Sequence, residues 1–146
     1  MTAALLASTT AVTTAQQAAT VAAAETYVPG VAWRAASLVA GDFTCEGRIQ
    51  EAILGTTEVE IVVAVFINGR GERPEVLRYS AAMRSPRLAR LAIEGLDYDP
   101  ADILGERLPG FQRSKSCKGL NVSDGLVDAA HIYWNREAKR FEDWVL

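Results

Sequence analysis

The feature that most constrains the fold of this chain is its pair of cysteines, Cys45 and Cys117, which are the only two present. No third cysteine completes a four-cysteine metal site, so a disulfide is the simplest interpretation in an oxidising compartment. Closing a loop of about 70 residues would stabilise the folded state by ~4 kcal/mol, which is a large part of a small domain's net stability. The alternative interpretation is two separate buried thiols.

The length and charge of the chain narrow its function class. Its 146 residues correspond to one domain with a sizeable core. Hydrophobic residues make up 49% and charged residues 23%, which excludes wholesale disorder and a membrane-embedded bundle. The net charge of −3 and the isoelectric point near 5.2 argue against a nucleic-acid partner, because phosphate contacts need a concentrated basic surface.

Residues 1–24 differ from the rest of the chain because they contain no charged residue and no histidine. They are mostly Ala and Thr, and their small side chains suit signal-peptidase cleavage after Ala15 or Ala24. A membrane span is not expected, since Thr and Gln interrupt the apolar run well short of ~20 residues. The pattern predicts a secreted or periplasmic protein, with residues 1–24 as signal peptide or tail and residues 25–146 as a single domain. The alternative is an Ala-rich helix, which the lack of an apolar stripe predicts to be poorly docked.

Alternating apolar residues predict several antiparallel strands. The strongest signal is at residues 58–67, where β-branched residues occupy every second position. A polar, Gly-rich loop then predicts a hairpin with residues 75–80, and residues 130–146 predict a final hairpin. Residues 31–40 also alternate and are interpreted as a strand.

Two Pro-containing starts predict short helices. A capping residue followed by Pro opens residues 85–94 and again residues 99–104, and a Gly ends each segment. Residues 110–127 are interpreted as a loop. Together the patterns predict an α+β domain: an antiparallel β-sheet of about five to six strands with two short helices, braced by one disulfide.

The segment Gly41-Asp42-Phe43-Thr44-Cys45-Glu46-Gly47 and the residues after it resemble the Gly-Asp-Phe-Asp-x-Asp-Gly-x-x-Asp loop of FG-GAP/VCBS repeats. In that family, such loops bind Ca²⁺ through carboxylates at alternate positions. Asp42 stands at the first ligand position and Gly47 at the turn glycine. The other acidic positions carry Thr44, Glu46 and Gln50. The resemblance therefore implies Asp42 and Glu46 as candidate calcium ligands, whereas the lost acids favour a turn held by hydrogen bonds to backbone amides.

The end of the chain, from His131-Ile132-Tyr133-Trp134-Asn135 to Trp144, is similar to the terminal hairpin of small exported bacterial proteins that carry one such loop. These proteins are mostly uncharacterised. A propeller needs at least about four blades, so a chain of this length with one loop does not form one. The resemblance implies a free-standing domain and no particular reaction.

His131 is the only histidine, so a multi-histidine metal site is excluded. As a general base it would need an orienting acid, for which Asp128 and Asp143 are the candidates, and a positioned nucleophile. As a partly exposed strand residue it needs neither. A thiol nucleophile paired with His131 competes with the disulfide, which would remove both thiols.

Two further groups of residues are candidate ligand contacts. The first is a basic cluster that comprises Arg84, Arg87 and Arg90. Acidic residues follow closely, which favours a solvated surface with local ion pairs over an anion-binding patch. The second is the set of tryptophans, Trp33, Trp134 and Trp144. Tryptophans at these positions are typical of core and sheet packing, and an exposed aromatic cluster would instead indicate a partner site.

These observations predict a small secreted or periplasmic domain that binds or inhibits a protein or glycan partner. The alternatives are a hydrolase that uses His131 and a calcium-dependent structural module. No nucleic-acid partner, membrane span or resident cofactor is expected, apart from Ca²⁺ in the third case. The sequence leaves the ligand and the oligomeric state open.

Overall fold

The computed structural model describes residues 11–81 and 84–146, and in these ranges nine strands form two antiparallel sheets. The first sheet contains β1 (Ala32–Trp33), β2 (Val39–Gly41), β3 (Gln50–Thr56), β4 (Glu60–Phe66) and β5 (Glu75–Ser80). The second sheet contains β6 (Arg90–Leu96), β7 (Ser114–Ser123), β8 (Ala130–Asn135) and β9 (Arg140–Trp144). The two helices of these ranges are α1 (Thr14–Tyr27) and α2 (Ala101–Leu104). The predicted α+β class with an antiparallel, disulfide-braced architecture is confirmed, and the strands divide between two sheets.

The two sheets pack face to face around the main hydrophobic core. Strand β4 explains the arrangement, because its side chains are buried on both faces. Ile61, Val63 and Val65 point to the second sheet, where they meet side chains such as Leu120 and Ile132. Ala64 and Phe66 point to the opposite side, where they pack with residues of α1 such as Ala24. The first sheet is therefore the middle layer of the molecule.

Helix α1 packs on the outer face of the first sheet. Thr13 caps its first turn in a reciprocal arrangement with Gln16. Thr20 and Ala24 are fully buried, and the Thr20 hydroxyl donates to Glu51 Oε1 at 3.2 Å. The expectation of a poorly docked helix is wrong, because small alanine side chains allow close approach and buried polar contacts add to the packing.

The two predicted cleavage positions, after Ala15 and after Ala24, lie near the start and near the end of α1. Helix α1 crosses residue 24, so a cut after Ala24 would remove most of it, whereas a cut after Ala15 would leave most of it in place. The apolar run at residues 3–7 lies outside the described residues. None of the helices within residues 11–81 and 84–146 has the length and apolar character needed to cross a bilayer.

Two segments differ from their sequence-based assignments. The helix predicted at residues 85–94 is wrong: the Ser-Pro start supports only a single 3-10 turn, Pro86–Leu88, and β6 follows. The loop predicted at residues 110–127 is wrong as well, because β7 occupies most of it. Polar residues at the start of β7 hid its alternation, and pairing with both β6 and β8 stabilises it as a strand.

Shorter elements follow the predictions more closely. The strand predicted over residues 31–40 is confirmed only in part, as β1 and the start of β2, because a 3-10 turn, Ala35–Ser37, separates them. The short helix predicted at residues 99–104 is confirmed as α2, which ends at Gly105 in the left-handed region, φ 76°. The hairpin of β4 and β5 and the final hairpin of β8 and β9 are also confirmed.

Candidate functional site

The two sheets meet along two sides, and one of these is tightly joined. On this side, which we call the sealed side, the Cys45–Cys117 disulfide links the loop after β2 to β7, with the two Cα atoms 5.0 Å apart. Next to it, Lys118 N donates to Asp42 O at 2.9 Å. The predicted disulfide is therefore present, and a main-chain hydrogen bond reinforces it.

Asp42 shapes the loop that carries Cys45. Its carboxylate accepts from Glu46 N at 3.1 Å and from Gly47 N at 2.8 Å. Gly47 has φ +78°, which favours glycine at this turn position. The carboxylate thus stabilises the turn through hydrogen bonds from backbone amides, which is the interpretation that the missing acidic residues of this loop favoured.

Gln50 fills the interior of the same loop and is 3% exposed. Its Oε1 accepts from Phe43 N at 3.0 Å and from Thr44 N at 3.1 Å, while its Nε2 donates to Thr44 Oγ1 at 2.7 Å. Glu46 turns outward and pairs with Arg48 at 2.8 Å. Two positions that carry acids in FG-GAP/VCBS loops therefore belong to a closed hydrogen-bond network. Within the described part of the chain, no three acidic, histidine or cysteine side chains are grouped as a metal site needs.

Arg34 adds a contact across the sealed side. Its Nη1 donates to Ala89 O at 2.8 Å and its Nη2 to Pro86 O at 2.5 Å. The guanidinium therefore connects the first sheet to the segment that leads into β6. Sequence reasoning missed this residue, although a single charge inside the apolar segment 31–40 is a signal that could have identified it.

The opposite side of the sandwich lies between β5 and β9, and we call it the seam. Among the described strands, each of these is the last of its sheet, because β5 pairs with β4 alone and β9 with β8 alone. A hydrogen bond crosses from Phe141 N to Glu75 Oε1 at 2.7 Å. A groove of about 520 Å³ runs along the seam. Here the sheets are joined by side chains instead of a main-chain ladder.

The free edge of β9 presents main-chain donors to this groove. The Phe141 N–H points away from β8, since its acceptor is the Glu75 carboxylate on the other sheet. Backbone groups of a strand alternate in direction with a period of two, so the Asp143 N–H points the same way. The seam thus has the hydrogen-bonding character of an open sheet edge.

Two acidic side chains lie at the seam. Burial raises the pKa of Glu75, which the Phe141 N–H and the charge of Arg140 partly oppose. At the other acid, Asp143, the buried hydroxyl of Tyr79 faces the carboxylate without a hydrogen bond of standard geometry. Burial and this carboxylate raise the pKa of Tyr79, so its phenol is neutral at physiological pH. Sequence reasoning missed Glu75 and Tyr79, because nothing local marks two strands as neighbours.

His131 lies on the outward face of the second sheet, away from the seam. Its Nδ1 is 2.5 Å from Glu94 Oε1, and the side chains are 21% and 18% exposed, respectively. The acid in contact with His131 is therefore Glu94, whereas sequence reasoning named Asp128 and Asp143 as the candidates. The sequence does not indicate Glu94 because its pattern predicts a helix there, whereas in β6 Glu94 lies on the same sheet face as His131.

Asp128 and Arg84 belong to a different contact. The Asp128 carbonyl accepts from Arg84 Nη1 at 2.6 Å, and the Arg84 guanidinium lies 5.8 Å from the Tyr79 ring centre. Arg84 is buried, while Arg87 and Arg90 are exposed beside a groove of about 330 Å³. The three arginines therefore do not form one patch, because Arg84 is buried whereas Arg87 and Arg90 lie on the surface.

The candidate tryptophans are engaged in packing. Trp144 stacks on His131 with the ring centres 4.0 Å apart, and Trp134 meets Phe141 edge-on at 4.9 Å. Trp33 packs with the residues under α1 and donates from Nε1 to Val28 O at 3.4 Å. These contacts agree with the core interpretation of the three residues.

An aromatic cluster next to His131 joins the second sheet to the residues that follow α2. Phe111 lies 5.5 Å from both the Tyr98 and the Tyr133 ring centres, and Tyr133 OH donates to Pro109 O at 3.0 Å. Burial, together with nearby carboxylates, raises the pKa of Tyr98 and of Tyr133 to about 12. The cluster is thus a half-buried aromatic group on the outer face of the second sheet, separate from the two hydrophobic clusters around the first sheet.

Comparison with protein-family models, curated proteins and solved structures gave no match for this chain. The FG-GAP/VCBS resemblance of the loop around Asp42 therefore stays a prediction based on its residues.

Proposed function

We propose that this protein is an exported binding domain that captures an extended segment of a partner protein at the seam. The observation that carries the proposal is the Phe141 N–H, whose acceptor is the side chain of Glu75 and not the backbone of a neighbouring strand. A carboxylate on a rotatable side chain can move away, and a guest strand can then take over the donor. Addition of a strand to a free sheet edge is a common mode of peptide recognition.

The energetics of Glu75 support exchange of this contact. Burial raises the pKa of this acid, so ionised Glu75 is held in surroundings that disfavour its charge. A guest strand that displaces the side chain into water removes this cost. The main-chain carbonyl of the guest then satisfies Phe141 N, so no buried donor is left without a partner.

Export is supported by the disulfide and by the uncharged Ala/Thr-rich start of the chain. Because α1 covers the first sheet, cleavage after Ala15 suits the fold better than cleavage after Ala24. N-terminal sequencing and thiol counting of protein from its native host test this part. We expect a new N-terminus at or before residue 16 and no free thiol, and full-length cytosolic protein with two free thiols would contradict it.

The seam is tested with a display library of extended peptides and the full oxidised chain. The matched variants are Asp143→Ala and Asp143→Pro, which both lose the carboxylate and differ in the main-chain N–H. Because that N–H points away from β8, proline removes no bond of the β8–β9 ladder. We expect peptides selected on the wild type to bind the alanine variant and to lose at least about tenfold in affinity on the proline variant.

Melting curves of both variants serve as the folding control. Slower hydrogen exchange at Phe141 and Asp143 on peptide addition would place the guest on β9. Equal peptide affinity of the two variants, or unchanged exchange at these amides, would contradict strand addition at the seam.

Hydrolysis is a second candidate function, and one observation favours it. Glu94 contacts Nδ1 of the partly exposed His131, which is the arrangement by which a carboxylate orients a histidine as general base through Nε2. A panel of ester, amide and phosphate substrates tests this candidate. Activity that is lost in His131→Ala and reduced in Glu94→Gln would support it, and unchanged turnover in His131→Ala would eliminate it.

A further inference from the structure

We infer that the seam selects guest segments with a basic side chain, Lys or Arg, placed opposite Asp143. This inference rests on the strand addition proposed above and names the chemistry of the partner. Three features support it: the charge of Asp143, the orientation of Tyr79 and the geometry of antiparallel pairing.

Like Glu75, Asp143 is an acid of the seam whose charge is not balanced by an ion pair among the described residues. Across residues 11–81 and 84–146, no Lys or Arg nitrogen lies within 4.0 Å of its carboxylate. By contrast, its neighbour Glu142 pairs with Arg140 at 3.0 Å. Glu75 accepts from the Phe141 N–H and is stabilised by the charge of Arg140. A cation brought to Asp143 therefore does not have to displace an existing cation.

Tyr79 supplies a second polar atom at the same place. Its hydroxyl is buried, lacks a hydrogen bond of standard geometry and faces Asp143. Arg84 lies against the ring of Tyr79, but its Nη1 is bound to the Asp128 carbonyl at 2.6 Å. An ammonium or guanidinium group that enters the seam can donate to the Asp143 carboxylate and to the phenol oxygen together.

Strand pairing places the guest side chain in reach. A residue directly opposite Asp143 in an antiparallel guest points to the same sheet face as Asp143. Opposite charges at such cross-strand positions attract, and like charges repel. A guest with Glu at this position is thus disfavoured twice, by repulsion and by loss of the hydrogen bond.

The experiment uses three forms of one peptide that binds the wild type, with lysine, norleucine or glutamate at a position scanned along the peptide. Norleucine keeps the alkyl chain of lysine and removes its charge. At one position we expect lysine to bind about fivefold more tightly than norleucine and glutamate to bind most weakly. The preference should shrink at high salt, because the pair is partly exposed.

Asp143→Asn keeps the main-chain N–H and removes the charge, so it should abolish the lysine preference while norleucine affinity is retained. Glu137→Gln is the control with the same change in net charge, since Glu137 lies in the exposed turn between β8 and β9. This variant should keep the full preference.

Each outcome separates the two proposals. If the lysine, norleucine and glutamate peptides bind equally at every position, strand addition stands and the selectivity is wrong. A lysine preference that survives in Asp143→Asn overturns the assignment to Asp143. If no peptide binds and light scattering shows a dimer that Asp143→Pro dissociates, the occupant is a second copy of the chain and the inferred partner is wrong.

Discussion

The two sheets are held together by different kinds of contact on the sealed side and at the seam. On the sealed side, a disulfide, a main-chain hydrogen bond and the two carbonyl contacts of Arg34 connect the sheets. At the seam, the hydrogen bond that crosses uses the side chain of Glu75. The first kind of join cannot exchange its partners without local unfolding, whereas the second can. Concentrating stability on one side leaves the other side available for binding.

Loss of the disulfide should have the largest effect on this contrast. The double variant Cys45→Ser/Cys117→Ser releases a loop of about 70 residues in the unfolded chain, so we expect the free energy of unfolding to fall by about 4 kcal/mol. Urea titration of the oxidised wild type and the variant measures it. A loss below about 1 kcal/mol, against the ~4 kcal/mol of the chain-entropy relation, would mean that the sealed side does not depend on its covalent bond.

Replacement of Arg34 should have the next largest effect. Arg34→Met keeps the alkyl stem and leaves the carbonyls of Ala89 and Pro86 without their donors, so we expect a loss of about 2 kcal/mol. Arg48→Met is the matched control, because Arg48 forms a half-exposed pair with Glu46 that should contribute under ~1 kcal/mol. Similar urea midpoints for the two variants would show that the Arg34 hydrogen bonds do not stabilise the sealed side.

Sequence reasoning predicted local features of both sides and missed their assembly. Alternation identified β4, β5 and the final hairpin, and the cysteine count identified the disulfide. The Ser-Pro signal at residues 85–86 predicts where a turn begins but not how long a helix continues, so the helix predicted to residue 94 is wrong. Because this helix prediction includes Glu94, it does not reveal the pairing of Glu94 with His131 across the second sheet.

The seam itself has no local signature. Glu75 and Phe141 are far apart in sequence, and their contact depends on the packing of two sheets whose number the sequence did not predict. Likewise, the alternation in β9 shows which residues share a face, but not that its second edge lacks a partner strand among the described residues. Non-local pairing of this kind follows from the topology and cannot be inferred from periodicity alone.

A smaller effect is expected from Glu75→Gln, and it appears in the pH dependence. Burial raises the pKa of Glu75 in the folded state above its usual value of 4.5. Between pH 4.5 and the raised pKa of folded Glu75, the carboxyl group is already ionised in the unfolded chain but still protonated in the folded one. The free energy of unfolding of the wild type therefore falls as pH rises through this range. The glutamine side chain of the variant does not titrate and keeps an oxygen that can accept from Phe141 N.

We therefore expect the difference in free energy of unfolding between Glu75→Gln and the wild type to change with pH in one direction. The stability of the variant relative to the wild type should increase from about pH 4 to about pH 7, as measured by urea titration at each pH. A relative stability that is constant, or that decreases, would show that the seam does not disfavour the charge of Glu75.

Asp124→Asn should have the smallest effect and the opposite dependence on pH. Its carboxylate accepts from the backbone amides of Ser85, Leu126 and Val127, which lower the pKa of Asp124 below its usual value of 3.8. A lowered pKa stabilises the folded state above pH 3.8, and this contribution is lost as pH falls through the folded value. The variant should therefore be less stable than the wild type near neutral pH, and urea titration should show the difference shrinking below about pH 4. The stability of each variant relative to the wild type should therefore change with pH in opposite directions. This contrast would distinguish Glu75, whose ionised form is disfavoured at the seam, from Asp124, whose ionised form is stabilised by backbone amides.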